Sequence, residues 1–419
     1  MKKILLISLI ALFGCLKEEN ADPGLPNTFV KYFNGGFNDV AQDIKSTDDG
    51  GYLMLATTEV RINEVTDPYY KIKIIKTDRY GNQLWKKIYP AYGPPPAPGE
   101  DQRVDSVSFR GRSLAILRDG AGLETGYVVV GDSIHARANA QSHLLIMLTD
   151  INGDSVNAKT LKPSFPVQGK GVVVNSNGSY TVLGAAVNTQ STKNMYLAEL
   201  APTLTLNWER THGAGESSLI NKLFRDQDFY YVSGTVKKQG SSDIRFLRTP
   251  GDSENTERDL EIGDPIFSET SNDMCPYGFG FAVTGTSNEN GDDDILFKRL
   301  AQDGRELSSN LYGFPNQSEV GLAICQARDG GLLLVGSVNT HIPDGTTTQV
   351  GRGGRDYYLI KINAFGDEEW SRVFGSKNDD IAASVLANAD GSYVIFGTTL
   401  WGGLRTLSLI KTDTKGNIE

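Results

Sequence analysis

Cysteine is nearly missing from this chain: three in 419 residues, Cys15, Cys275 and Cys325. A disulfide framework is excluded, and stability has to come from buried apolar surface. Histidine is almost as scarce, and the four present (His135, His143, His212, His341) show no metal-ligand spacing. Gly-x-Ser-x-Gly, a Walker loop and His-Glu-x-x-His are all absent, which removes the sequence signatures of α/β-hydrolases, P-loop enzymes and zinc proteases. Positive charge is in deficit, with 41 basic against 51 acidic residues and a net charge of −10. That balance argues against nucleic acid or anionic headgroups as partners. Ile4–Phe13 is too short to span a bilayer as a mature helix, and no other apolar run is long enough to cross one.

Glycine, by contrast, is abundant, at 46 residues, and it is periodic. The clearest unit runs from Asp329 to Gly375. An apolar run at Leu332–Val335 follows a Gly-Gly turn. A second run spans Tyr357–Ile362, a turn spans Asn363–Asp367, a third run covers Trp370–Phe374, and Val320–Ala327 precedes them all. Four strand-like runs joined by turns in about fifty residues describe one propeller blade. Taking the glycine that closes the second run as a marker, copies recur at Gly131, Gly184, Gly234, Gly285, Gly336 and Gly397, with Ala56 in the first. The expectation is therefore an all-β, seven-bladed β-propeller of four-stranded antiparallel blades over residues 28–419.

The two ends explain each other. Phe29-Val-Lys-Tyr-Phe-Asn-Gly35 has the spacing of Trp370 to Gly375, yet no strands precede it, and the C-terminus stops where a fourth strand would begin. The N-terminal strand is expected to complete the last blade and close the ring, removing the open edges. Trp85, Trp208 and Trp370 recur at one position of the unit, which points to packing between blades. Cys275 and Cys325 hold nearly the same place on neighbouring first strands, open to a disulfide or to two buried thiols.

Residues 1–14 have the form of a signal peptide: Lys2 and Lys3, an apolar stretch, then Leu-Phe-Gly before Cys15. This resembles a bacterial lipobox, with Cys15 as the lipidated residue. Residues 15–27 form a tether broken by prolines and glycine. Leu16-Lys-Glu-Glu19 resembles the tag that sends lipoproteins of Bacteroidota to the outer face of the outer membrane.

The units Asp49-Gly-Gly-Tyr52, Asp390-Gly-Ser-Tyr393 and Gly81-Asn-Gln-Leu-Trp85 look like the propeller-type repeats of secreted and lipid-anchored Bacteroidota proteins. The resemblance implies a surface lipoprotein anchored through Cys15, and by analogy a place beside a TonB-dependent importer capturing nutrient. It implies nothing about catalysis, because propellers host binding modules and enzymes alike.

Candidate site residues fall in two sets. The connections between second and third strands, and between blades, carry every long insertion, so the ligand is expected on that face. It holds Trp401, an exposed platform or a ring packed on an adjacent loop, with Tyr69, Tyr70, Tyr92, His341, Arg352 and Arg355. The second set is Asp39, Glu216, Glu269, Glu319 and Asp380, all near the start of first strands. They are read either as a ring of carboxylates at one mouth of the channel or as acceptors for loop N–H groups. Asp292-Asp293-Asp294 is the densest acidic run. It reads as a calcium site or as a solvated turn, and the turn is preferred because the spacing of a known calcium loop is missing. No cofactor is called for. With no recognisable acid–base pair, a module binding extracellular glycan or peptide leads over a polysaccharide lyase or hydrolase, and an architectural envelope protein is the third reading.

Overall fold

The computed structural model describes residues 28–60, 69–89, 107–135, 142–163, 165–187, 193–212, 217–250, 257–339 and 354–418. These form seven four-stranded antiparallel sheets, each following chain order except the last. Blade 1 shows the pattern: Asn38–Ser46, Tyr52–Val60, Tyr69–Thr77 and Gln83–Tyr89. The first strands of blades 2 to 7 are Val107–Arg118, Val167–Val174, Ser217–Asp226, Asp273–Tyr277, Glu319–Gln326 and Asp380–Ala387. Blade 7 is finished by the N-terminus. Phe29–Phe33 pairs antiparallel with Leu404–Thr412, from Phe29 opposite Lys411 to Phe33 opposite Leu407. The ring is closed as its two ends led one to expect.

The core lies in the seams between blades. Each of seven buried clusters mixes two consecutive blades; at the 5/6 seam, for example, Ile295 and Phe297 meet Leu334 and Ile360. The middle strands are buried on both faces, as Leu332–Val338 is, because each face meets a neighbouring blade. The fourth-strand aromatics are seated in the same seams. Trp85 lies against Gly153 of blade 2, Trp370 against Gly416 of blade 7, and Phe29 against Gly81 of blade 1. Each of these glycines also has positive φ (78°, 76° and 75°) in the turn between third and fourth strands. A side chain there would strain the backbone and strike an aromatic ring at 2.5–2.7 Å, so two independent constraints select glycine.

In six blades the first strand slips register by one residue at a shared position, at Gln42, Arg112, Lys170, Asn221, Leu322 and Ala383. Asn272 holds the corresponding place in blade 5. These bulge residues line a central cavity of about 260 Å³ with Asp43, Lys45, Lys222 and Asp273. Cys275 and Cys325 stand in equivalent register on their first strands, and both are free thiols. Burial pushes the Cys325 thiol up to about 12, so it is inert as a nucleophile.

Candidate functional site

The hairpins joining first to second strands and third to fourth strands are tight. In blade 1, Asp78 Oδ1 accepts the N–H groups of Tyr80 and Asn82 at 2.9 and 2.8 Å, and Asn363 and Asp413 repeat this in blades 6 and 7. The opposite end of the ring carries the longer connections and two neighbouring clefts. The larger, about 950 Å³, is lined by Asn290, Gly291, Asp292 and Asp294 of blade 5, by Leu311 and Gly313–Ser318 between blades 5 and 6, and by Asn339 of blade 6. The second, about 580 Å³, adjoins it at Asn290 and Leu311 and reaches Glu269, Lys298 and Glu306.

The described aromatic and cationic candidates, Trp401, Tyr69, Tyr70 and Arg355, lie on this long-connection face in blades 7, 1 and 6, and none of these four lines either cleft. Trp401 is 54% exposed, and its ring stacks on Tyr32 of the closing strand, centroids 5.2 Å apart at 29°. The indole is therefore packed on a ring of the closing strand, not on an adjacent loop, while more than half of its surface stays open. Tyr70 lies under the guanidinium of Arg110, 4.3 Å from the ring centroid, and Lys71 stands 5.8 Å from the Tyr69 ring. The backbone N–H of Arg355 donates to Asp379 at 3.0 Å. Cys15, Tyr92, Glu216, His341 and Arg352 lie outside the described residues.

The carboxylates require a correction. Asp39, Glu319 and Asp380 stand at the heads of first strands and Glu269 lies four residues before one, but they are 0%, 0%, 3% and 3% exposed and do not line the central cavity. The pleat and the bulge that follows turn these side chains into the seams. They are buried polar groups, not an open ring at the channel mouth. In part they behave as loop acceptors: Asp380 takes the N–H of Ser376 at 2.7 Å, and Glu319 Oε1 takes that of Phe314 at 3.3 Å.

Asp39 meets Lys73 on the third strand of its own blade, whereas Glu269 and Glu319 meet the third strand of the preceding blade. At seams 4/5, 5/6 and 6/7 that strand begins with another acid in one shared register: Asp243 opposite Val236, Asp294 opposite Ser287, Asp356 opposite Val338. At seam 4/5, Asp243 is paired with Lys238, and Lys298 reaches Glu269 at 3.1 Å. At seam 7/1, Lys73 lies 2.6 Å from both oxygens of Asp39. At seam 5/6 no lysine or arginine pairs with Asp294 or Glu319 among the described residues. Burial, opposed by the Phe314 N–H and reinforced by the charges of Asp294 and Asp292, pushes the Glu319 carboxyl up to about 7. Burial also raises Asp294; the Asn290 amide opposes that rise, and the charges of Asp292 and Asp293 add to it. These acid pairs were missed in the sequence because their members stand some 25 residues apart on different blades. The only signal was the recurrence of acids at two fixed places in the repeat.

No protein-family model matches this chain, and no curated protein is significantly similar to it. Among solved structures, it resembles a Hadza microbial sialidase at 10% identity and a TM-score of 0.50, over 91% of this chain and 66% of that one. The sialidase of Trypanosoma rangeli in complex with DANA aligns at 12% identity and 0.45, covering 90% and 55%. An α-L-arabinofuranosidase of Fusarium graminearum with arabinobiose aligns at 10% and 0.47, covering 93% and 98%. This chain therefore spans about half to two thirds of the two sialidases. At such identities the likeness concerns the fold alone.

Proposed function

We propose that the protein is an extracellular binding module, held on the outer membrane through lipid on Cys15, that receives a glycan in the larger cleft over blades 5 and 6. The cleft wall supports this reading. Asn290, Asp292, Asn316, Gln317, Ser318 and Asn339 offer amide, hydroxyl and carboxylate groups beside the ring of Phe314. A sugar presents hydroxyls that donate and accept at its edge and an apolar C–H face, and this wall matches both. Delivery of captured glycan to an adjacent TonB-dependent importer follows as the physiological role.

Hydrolysis fits the geometry less well. A glycosidase places two carboxyls on either side of the scissile bond, about 5–9.5 Å apart. Asp294 and Glu319 instead lie side by side in the seam, 5% and 0% exposed, where no substrate bond can pass between them.

Titration calorimetry of the purified protein against a panel of soluble polysaccharides tests the reading. Gln317→Ala and Asn339→Ala should each weaken binding by about five- to tenfold, the loss of roughly one hydrogen bond, with the melting temperature unchanged. If Trp401→Ala abolishes binding while those two variants bind normally, the ligand sits on the Tyr32–Trp401 stack and the cleft assignment is wrong. If only peptides bind, the glycan assignment is wrong.

A further inference from the structure

We infer that the 5/6 seam holds a divalent cation of the hard, oxygen-seeking kind, calcium before magnesium, between Asp294 and Glu319. Both carboxylates converge on the space beside Gly313. A Cβ added to that glycine would lie 2.0 Å from Asp294 Oδ1 and 2.7 Å from Glu319 Oε2, so only glycine lets the two oxygens come together here, and Gly313 and Asp294 also line the cleft. Glu319 is 0% exposed, yet its Oε2 has no hydrogen-bond partner among the described residues. A buried carboxylate oxygen with nothing to bind carries a large desolvation cost, and its direction toward a second acid indicates that a positive charge belongs between them.

Seams 7/1 and 4/5 support the assignment by contrast. Where Asp39 is buried, the chain supplies Lys73, and where Asp243 meets Glu269 it supplies Lys238 and Lys298. In blade 6 the place of Lys73 is taken by Tyr358: Lys73 stands opposite Ala56, and Tyr358 stands opposite Gly336, each at the marker position of its blade. Tyr358 brings no charge and packs instead against Phe314, ring centroids 5.0 Å apart and tilted by 30°. Asp292, next to the pair along the chain, adds further negative charge and opens onto the cleft. Every donor at hand is oxygen, from carboxylate, amide, hydroxyl or backbone carbonyl, with neither histidine nor thiol lining the cleft. That donor set excludes zinc and copper, and a flexible oxygen shell with two carboxylates suits calcium better than the strict octahedron of magnesium.

The assignment rests on the seam and stands whether or not a glycan occupies the cleft. It is tested on purified protein stripped with EDTA, then titrated with calcium chloride by calorimetry and followed by thermal melting. One site per chain is expected, with a dissociation constant in the range of extracellular modules, about 10⁻⁴–10⁻³ M, and a melting temperature several degrees higher in calcium than in EDTA. Asp294→Asn and Glu319→Gln should each weaken calcium binding by about tenfold or more, while Asp303→Asn, on an exposed turn, should bind normally. Gly313→Ala, whose Cβ would strike both carboxylate oxygens, should also lose calcium. Far-ultraviolet circular dichroism in EDTA checks that each variant folds. A wild-type protein with no calcium heat and no melting shift overturns the assignment and leaves the two carboxyls sharing a proton. Calcium binding that survives both acid substitutions overturns it as well.

Discussion

Seams 7/1 and 5/6 are built on one backbone frame and carry opposite electrostatics. In each, an acid at the head of the first strand is buried opposite the same second-strand position: Asp39 across from Thr58, Glu319 across from Val338. At 7/1, Lys73 and Asp39 form an ion pair with side chains 2% and 0% exposed. Burial drags the lysine below its usual value while Asp39 holds it up, the balance of a desolvated but satisfied pair. At 5/6 the tyrosine in the lysine's place leaves Glu319 facing Asp294 without a base. One third-strand residue thus decides whether a buried acid is neutralised within the chain or left for a cation from outside. The repeat conserves backbone positions around the ring but not the charge carried at each.

The largest expected effect comes from removing the closing strand at seam 7/1. Deleting Phe29–Phe33 leaves Leu404–Thr412 as an open edge and empties the seats of Phe29 and Phe33, at a cost on the order of 5 kcal/mol or more. Urea denaturation measures it; a truncated chain with the parent's midpoint would show that seam 7/1 is no more critical than the rest. Next comes Lys73→Met, which strands Asp39 in the core and should cost about 3–5 kcal/mol. Adding Asp39→Leu should recover most of that loss, because an apolar pair of similar size avoids desolvation altogether. Without recovery, the pair would not be the source of the cost.

At seam 5/6 the sign should invert. In EDTA at pH 8, Glu319→Gln removes a buried charge that repels Asp294 and should stabilise the protein by roughly 1–3 kcal/mol. Destabilisation there, like that of Lys73→Met, would break the comparison between the two seams. The smallest effect belongs to seam 3/4, where His212 fills the fourth-strand place that Phe374 holds in blade 6. Burial keeps the imidazole below its usual 6.5; Asp259 opposes that, while Arg245 and Arg210 reinforce it. Between the folded-state value and 6.5 the unfolded chain binds a proton that the folded chain refuses. Stability is therefore present above 6.5 and is lost as the pH falls below it. His212→Phe should remove this part of the difference between urea midpoints at pH 5 and pH 7.5, and an unchanged difference would remove His212 from the account.

The strands, the blade count and the closure were legible in the sequence because they depend on local and periodic signals. Gly-Gly and Asx turns mark the hairpins, apolar runs mark the middle strands, and the match between Phe29–Gly35 and Trp370–Gly375 shows which end completes which blade. The aromatic seats were legible for the same reason, since a residue type repeated at one position has the same neighbours in every blade. What only the tertiary structure decided was the direction and company of individual polar side chains. The one-residue slip in the first strands, at Gln42 or Leu322 for example, is set by the hydrogen-bond ladder, and no residue type announces it. Whether Glu319 faced the channel or the seam hung on that pleat. That it meets Asp294 across two blades, with Tyr358 standing where blade 1 has a lysine, follows from register between strands that the sequence keeps far apart.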